Sequence, residues 1–245
     1  MIKDNLTQLR QRIARSCARA GRQEAEVTIV AVSKGRGAEE IKEAIGAGIT
    51  DIAENRVQEA LLKYKQLSGY RFSVIGSRGI PNTEHRAPST ENSIKWHLVG
   101  HLQTNKARDA VRIFDLIHSV DSLRLAEEIN KQAAKMNKTQ DVLLEVKTSP
   151  ETTKFGVKPE EAPALLERIG ALANIKVRGL MTIAPLVDNP EQARPYFQAL
   201  RRLRDKIYDL RITHYDLRIL SMGMTDDFEA AIEEGVTMIR IGRGI

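Results

Sequence analysis

A lysine closes an unbroken run of apolar and β-branched residues early in the sequence. The six residues of Val27–Val32 are followed by Ser33 and Lys34. A run without polar alternation is typical of a strand buried on both faces, as in parallel sheets. A lysine at the end of such a strand would be held by a rigid element and aimed into a cleft, where α/β proteins place their chemistry. A plain surface lysine that ends a core strand also fits these eight residues.

Two glycine-containing segments near the end of the sequence have the composition of anion-binding turns. Ser221 offers a hydroxyl and Gly223 permits close backbone approach, just before a predicted helix whose first N–H groups are free. Gly242 and Arg243 follow the last predicted strand, where backbone N–H groups can face an anion. The carboxylates of Asp226–Asp227 would repel an anion unless they point away, and each segment could also be a plain turn.

Strand-like and helical patterns alternate along the chain and must position these residues. Eight strand-like runs are predicted, at residues 27–34, 49–53, 94–99, 114–117, 142–146, 177–183, 217–220 and 237–241. Helical patterns separate nearly all of them, and an extra amphipathic helix covers residues 2–20. Strands alternating with helices indicate parallel βαβ units of the α/β class, and eight of them indicate a single (β/α)8 TIM barrel. The alternative, an open doubly wound sheet, usually carries a glycine-rich dinucleotide turn that Ser33–Gly37 does not match.

The stretch from Gly69 to Ser93 shows neither the helical nor the strand period. It is polar and contains Gly76, Gly79, Pro81 and Pro88. A loop of this length inside a compact domain is usually a lid or disordered. We expect a disordered surface insertion within one domain that spans residues 1–245.

Composition narrows the class of protein without deciding its function. Charged residues make up 29% and hydrophobic residues 42% of the chain, which is ordinary for a globular protein. No apolar run approaches the ~18 residues of a transmembrane helix, so we expect no membrane association. The first residues lack an apolar signal core, which predicts a cytoplasmic protein. Cys17 is the only cysteine, which excludes an internal disulfide.

The net charge of +6 is compatible with nucleic-acid binding, but no motif supports it. Aromatic residues make up only 4% of the chain, and basic residues are interspersed with acidic ones instead of alternating with aromatics. Single-strand binders need a basic groove with aromatic stacking platforms. We therefore expect no nucleic-acid partner, since an acidic small molecule explains the excess charge equally well.

A barrel would gather the chemistry-bearing residues at one mouth. The carboxyl ends of its strands all open on the same face, and six candidates follow or end predicted strands: Lys34, Asn55, His97, Met181, Ser221 and Arg240. Barrels also commonly bind phosphate with the loops after strands 7 and 8, which here are the two glycine-containing segments.

A lysine, a phosphate site and one open face together suggest pyridoxal 5′-phosphate (PLP). The aldehyde of PLP condenses with a neutral amine, whereas a lysine ordinarily keeps its proton up to a pKa of ~10.4. Partial burial of Lys34 and a nearby cation such as Arg240 would favour the neutral form. His97 could pack on the pyridine ring or could simply be a core residue.

Several motifs of the sequence resemble those of the pyridoxal phosphate homeostasis proteins, the YggS/PROSC family. These proteins are single-domain relatives of the N-terminal barrel of alanine racemase. The resemblance covers nearly the whole chain outside residues 69–93 and rests on Ala31-Val-Ser-Lys34, Glu54-Asn55, Trp96-His-Leu-Val-Gly-His-Leu-Gln-Thr-Asn-Lys106, Lys154-Phe-Gly156, Arg178-Gly-Leu-Met181, Ser221-Met-Gly-Met224 and Arg240-Ile-Gly242.

The resemblance implies a role for each matched residue. Lys34 would form the internal aldimine, the Schiff base that holds the cofactor. Ser221, Gly242 and the backbone N–H of Arg243 would bind the phosphate, and Arg240 would face the pyridine nitrogen. The chain departs from the family in the segment after Leu67 and at Arg243, where a smaller residue such as threonine is usual.

The function implied is intracellular PLP homeostasis, by a protein that buffers PLP or delivers it to PLP-dependent apoenzymes. We expect this protein to be a monomer. The alternative is a PLP-dependent amino-acid racemase, which needs one base on each face of its substrate. Lys34 supplies one base, and alanine racemase takes the other, a tyrosine, from a C-terminal domain that this chain is expected to lack. A cation at Arg240 beside the pyridine nitrogen would weaken the ring as an electron sink, which favours holding the cofactor. Barrel racemases use the same arginine, so the alternative stays open.

Overall fold

Eight parallel strands form one closed barrel in the computed structural model, which describes residues 1–67, 94–151, 154–209 and 216–245. Neighbouring strands pair in sequence order, and the eighth pairs with the first. The strands are β1 Thr28–Val32, β2 Asp51–Glu54, β3 Lys95–Leu98, β4 Leu116–Val120, β5 Gln140–Glu145, β6 Ile175–Met181, β7 Ile219–Met224 and β8 Met238–Ile241. The predicted barrel is confirmed, whereas the insertion expected at residues 69–93 lies outside the described residues.

Eight α-helices surround the barrel in the described parts of the chain. They are α1 Ile2–Arg19, α2 Ala38–Gly46, α3 Val57–Leu67, α4 Ala107–Ile113, α5 Leu123–Lys135, α6 Ala162–Gly170, α7 Arg194–Asp209 and α8 Phe228–Glu233. Gly48 and Gly235 follow α2 and α8 with φ of +91° and +87°, the left-handed conformation that glycine adopts at helix ends. No helix in the described ranges is both long and apolar enough to span a membrane.

Helix α1 is the predicted extra helix, and it completes the outer layer of the barrel. Its apolar face, Leu6, Leu9, Ile13 and Cys17, is buried as the spacing predicts. The helix packs between α8 and α2, on either side of the β8–β1 junction. It therefore occupies the place that a helix following β8 would take.

Polar contacts hold α1 in this position. Arg12 pairs with Glu229 at 2.7 Å, and Arg19 pairs with Glu233 at 2.8 Å, both on α8. The Asn5 side-chain amide donates to the carbonyl of Ile245 at 3.1 Å. The first helix and the last residues of the chain are thus in direct contact.

The alternation of side chains along the strands divides the core into two layers. Large apolar residues that point outwards pack against the helices, among them Ile52, Leu98, Ile117 and Leu144, all fully buried. The barrel interior contains two small apolar clusters, Val30–Ala53–Val99 and Leu116–Leu143–Met181. Between these clusters the interior is polar, which is where the candidate site continues below the mouth.

Two strands extend three or more residues beyond their predicted ends, and both extensions contain polar interior residues. Strand β4 was predicted to end at Ile117 but continues through His118 to Val120. Strand β7 was predicted to end at Leu220 but continues to Met224, so Ser221 and Gly223 lie within the strand and not after it. Strands were located by their apolar runs, and a polar side chain that points into the barrel interrupts such a run.

Candidate functional site at the carboxyl mouth and in the barrel interior

Lys34 lies in the turn between β1 and α2, at the carboxyl mouth of the barrel as predicted. It lines a cleft together with Asn55, His101 and Gln103. The structure leaves the Lys34 side chain exposed, instead of partly buried as expected. Its amine can therefore be reached by a small molecule that enters from solvent.

The residue before Lys34 is fixed by a buried carboxylate. Glu54, at the end of β2, is completely buried and accepts a hydrogen bond from the Ser33 hydroxyl. The Lys63 ammonium on α3 lies 2.5 Å from the Glu54 carboxylate and donates to the Ser33 carbonyl at 2.7 Å. A charged pair thus holds the base of the Lys34 turn against β2 and α3.

The mouth extends into a second cleft beside the ends of β2, β3, β5 and β6. The residues lining it include Asn55, Gly100, Glu145, Lys147 and Ile183. The backbones at Asn55 and Gly100 approach so closely that a Cβ at Gly100 would lie 2.2 Å from the Asn55 carbonyl oxygen. Asn55 is therefore at the mouth as predicted, held by a contact that only glycine permits.

The wall of this cleft combines a stacked ring pair with a buried carboxyl group. Phe155 stacks on His101 with ring centroids 3.7 Å apart. Burial, together with the nearby Asp121 charge, raises the pKa of Glu145 to about 7, although Arg240 opposes the shift. Glu145 is thus a group that changes charge near neutral pH at the mouth.

Arg240 lies below the mouth, inside the barrel. It is 4% exposed, and its guanidinium donates to the Ser221 hydroxyl at 2.6 Å and to the Thr182 carbonyl at 2.8 Å. Burial lowers the pKa of Arg240 to about 10, while the charges of Asp227 and Glu145 act in the opposite direction. Arg240 is therefore a fixed cation at the base of the candidate site.

Ser221 lies deep in the interior, where its hydroxyl contacts two protein groups. Besides Arg240, its oxygen is 3.0 Å from Nδ1 of His118. His118 Nε2 is 2.9 Å from Nδ1 of His97, and His97 Nε2 is 3.0 Å from a carboxylate oxygen of Asp51. These five side chains, on five different strands, form one continuous hydrogen-bonded chain through the barrel.

His97 and Met181 were both expected at the mouth, and the structure places them in the interior. The His97 side chain reaches Asp51 at the start of β2 and borders a cleft on the amino-terminal side of the barrel. Met181, at the end of β6, is fully buried beside Leu116 and Leu143. Strand register decides which end of the barrel a residue approaches, and a single sequence does not give it.

The rim formed by the segments after β7 and β8 contains a hydroxyl that the sequence pattern did not indicate. Thr225 is half-buried, and a Cβ at Gly244 would lie 3.3 Å from its methyl carbon. The hydroxyl next to the Gly242–Gly244 turn is therefore that of Thr225, because Ser221 is four residues deeper. Predicting the end of β7 at Met224 would have identified Thr225 as the first residue after the strand.

The neighbouring residues on this rim have roles of their own. Gly223 has φ of +80°, and a Cβ there would lie 2.6 Å from the Ala231 side chain, so the glycine lets β7 pack on α8. Arg243 pairs with Asp226 at 2.5 Å, and Asp227 accepts from the Met224 amide at 2.5 Å. Both carboxylates are thus engaged by protein groups instead of being directed into the mouth.

These features coincide with a family match over almost the whole chain. Residues 4–245 match the family described as alanine racemase, N-terminal domain. A pyridoxal phosphate homeostasis protein of Aquifex aeolicus is 42% identical over 242 residues, which cover 98% of this chain and 94% of the relative. The chain belongs to the pyridoxal phosphate homeostasis protein family.

Solved structures of similar proteins share the fold of this family member. PipY of Synechococcus elongatus PCC7942, solved with PLP bound, is 34% identical with a TM-score of 0.80, covering 100% of this chain and 99% of that one. A crystal structure of an unknown protein from Bifidobacterium adolescentis is 38% identical with a TM-score of 0.88, covering 100% and 94%. This chain therefore shares its fold with both proteins over its full length.

Proposed function

We propose that this protein binds PLP and serves intracellular PLP homeostasis, with the Lys34 amine attached to the cofactor as a Schiff base. The observation that carries the proposal is the position of Lys34. It lies at the carboxyl mouth of a barrel similar to PipY, whose structure contains PLP, and its turn is fixed through Ser33. When bound, PLP supplies an aldehyde that condenses with amines and a ring that withdraws electrons.

The other groups of the site fit the remaining parts of this cofactor. We assign the phosphate to the backbone of Gly242 and Arg243 and to the Thr225 hydroxyl, since Thr225 lies beside Gly244 on the same rim. Arg240 is buried between the mouth and the interior, in a position to face the pyridine nitrogen. Ser221 is then a support of Arg240 and not the phosphate ligand that the resemblance implied.

The proposed role is to hold PLP and release it to PLP-dependent apoenzymes. The names of its relatives, which are homeostasis proteins, support a role outside catalysis. We further propose that the protein works as a monomer in the cytoplasm, as its sequence predicts. Sedimentation of the PLP-loaded protein as a single chain would be the expected result.

The attachment is tested with Lys34→Ala. Wild-type protein mixed with PLP should become yellow, and borohydride should fix the label to one peptide that contains Lys34. Lys34→Ala should remain folded, because the side chain is exposed, but should lose the visible band. Lys131→Ala, an exposed lysine on α5, is the matched control and should behave like wild type. A reducible adduct of wild-type intensity in Lys34→Ala would place the attachment elsewhere, with Lys147 and Lys154 at the mouth the first peptides to map.

The racemase alternative is not favoured by the described residues. Racemisation requires a second base opposite Lys34. The described tyrosines, Tyr64, Tyr196 and Tyr208, lie on α3 and α7 instead of the carboxyl ends of strands. With one base, a proton removed from the substrate returns to the same face.

Exchange of the Cα proton in heavy water distinguishes a PLP carrier from a racemase. PLP-loaded protein incubated with L-alanine and other L-amino acids should take up deuterium at Cα slowly, if at all, without forming the D-enantiomer. Chiral chromatography and mass spectrometry measure the two quantities in one sample. Formation of D-amino acid at about 1 per second or faster would contradict the carrier function.

A further inference from the structure

The hydrogen-bonded chain in the barrel interior contains three residues to which the proposed function gives no role. Asp51, His97 and His118 are 5%, 1% and 0% exposed, and they extend from the amino-terminal end of the barrel to Ser221 and Arg240. Buried polar groups are costly unless each one has a partner. Five strands contribute one residue each, so the chain is built across the whole barrel.

The chemistry of the two end groups fixes the direction of every hydrogen bond between them. Arg240 can only donate, so the Ser221 oxygen accepts from it. Asp51 accepts: burial raises its pKa, but hydrogen bonds from His97 and Thr50 outweigh burial and lower it, which keeps the carboxylate charged. His97 therefore donates from Nε2 to Asp51.

The same reasoning assigns the protons of the two middle links. Burial lowers the pKa of His118, so this ring is neutral. The Ser221 oxygen accepts from Arg240, so its O–H donates to its other described contact, His118 Nδ1. His118 then carries its proton on Nε2 and donates it to His97 Nδ1. Each neutral group thus donates once and accepts once, and all donors point from Arg240 towards Asp51.

We propose that Asp51, His97 and His118 are positioning residues that hold Arg240 through Ser221, by a chain of hydrogen bonds donated in one direction. The inference rests on the proposed function, because the guanidinium so held is the group assigned to the pyridine nitrogen. A serine hydroxyl can rotate, and His118 fixes its proton away from Arg240. Nη1 and Nη2 of Arg240 are then bound to two different acceptors, Ser221 and the Thr182 carbonyl.

The proton assignment can be measured in the protein without PLP. Long-range ¹H–¹⁵N NMR of the histidine rings should show both His97 and His118 with the proton on Nε2 and none on Nδ1. Slow rotation of the Arg240 guanidinium should give separate Nη1–H and Nη2–H signals. A proton on Nδ1 of either ring in the wild type would overturn the proposed direction.

Two variants and one control test the positioning role. His118→Phe keeps a ring and removes both hydrogen bonds, and Asp51→Asn offers a donor that permits the reversed direction. In the PLP-free protein, either variant should let the Arg240 guanidinium rotate faster, so that its Nη1–H and Nη2–H signals merge. Asp51→Asn should also produce a second form of His97 with its proton on Nδ1. Asp115→Asn is the control, at the amino-terminal cleft that His97 also lines. It makes the same charge change outside the hydrogen-bonded chain and should alter neither the Arg240 signals nor the proton position on His97. If His118→Phe does not fold, Asp51→Asn alone tests the positioning role.

Binding of PLP gives the second readout. Both variants should weaken PLP binding about three- to ten-fold and shift the visible band relative to Asp115→Asn. Unchanged Arg240 signals, affinity and spectrum in a folded variant would overturn the positioning role. Failure of the wild type to bind PLP would refute the proposed function, while the NMR measurements would still confirm or refute the chain itself.

Discussion

At the scale of single residues, the candidate site consists of an exposed amine above a buried, charged interior. Lys34 is open to solvent, whereas Arg240 and Glu145 are 4% and 6% exposed. A buried carboxyl group prefers its neutral form, and a buried guanidinium keeps its charge. The charge at the mouth therefore depends on pH through Glu145.

Glu145→Gln should change the pH dependence of stability. Burial, followed by the Asp121 charge, raises the pKa of Glu145 from 4.5 to about 7, so the folded state binds the proton more tightly. The stability from this group is present below pH 4.5 and is lost as pH rises through about 7. Between pH 4.5 and 8, the free energy of unfolding of the variant, measured with urea, should rise relative to that of wild type by on the order of 2–3 kcal/mol. An equal difference at both pH values would mean that Glu145 does not titrate there.

The residues of the site differ in how far the sequence could predict them. Lys34 and Asn55 were identified correctly at the mouth, because each directly follows an apolar strand. The sequence did not predict His118, because β4 was expected to end at Ile117, one residue before it. Ser221 was likewise expected in the loop after β7, whose predicted end was Leu220. Interior polar residues are recognisable only once the strand register is known.

At the scale of elements, β6 and β7 approach so closely at one position that only a glycine fits between them. A Cβ at Gly179 on β6 would lie 1.9 Å from the Ile219 carbonyl oxygen on β7. Such a contact cannot be relieved by a rotamer change, because the obstructing atom belongs to the backbone. The pairing of β6 with β7 therefore depends on this glycine, and β7 contributes Ser221 to the interior.

Gly179→Ala should destabilise the barrel by about 2–3 kcal/mol, because one strand must move away from the other. Gly46→Ala is the control, since a Cβ at this last residue of α2 meets nothing within 4 Å. The control should be neutral or stabilising by up to ~1 kcal/mol. Urea denaturation of both variants measures the difference, and similar stabilities would show that β6 and β7 are not so closely packed.

The elements themselves were predicted more reliably than their ends. Eight apolar runs identified the eight strands, because parallel strands covered by helices are buried on both faces. Their ends moved by up to four residues where interior side chains are polar, as at Ser221–Met224 of β7. Outward-facing side chains are apolar and can be recognised in the sequence. Several inward-facing side chains of this barrel are polar, and their positions are set by hydrogen bonds.

At the scale of the whole molecule, the helical layer is completed by the first helix of the chain. Leu9 and Ile13 are 4% and 3% exposed under the contacts with α2 and α8. The ion pairs from α1 to α8 are partly exposed and contribute little. Apolar burial is therefore the main force that keeps α1 on the barrel.

Ile13→Asp should detach α1 and destabilise the folded barrel by about 3 kcal/mol or more, because it buries an unpaired charge. Gln11→Asp makes the same charge change on the exposed face of α1 and should alter stability by no more than ~0.5 kcal/mol. Urea unfolding, with proteolysis of the first 20 residues as a second measure, distinguishes the two. Equal stability of both variants would mean that α1 is not part of the core.

The contact between Asn5 and Ile245 has a consequence for the order of events during translation. A ribosome makes α1, which ends at Arg19, long before β8, which ends at Ile241, 222 residues later. At ordinary elongation rates this interval is roughly 10 to 45 s. During that time the Leu6–Cys17 face of the nascent helix has no native partner on β8 or α8. We expect this face to be the segment that binds a cotranslational chaperone.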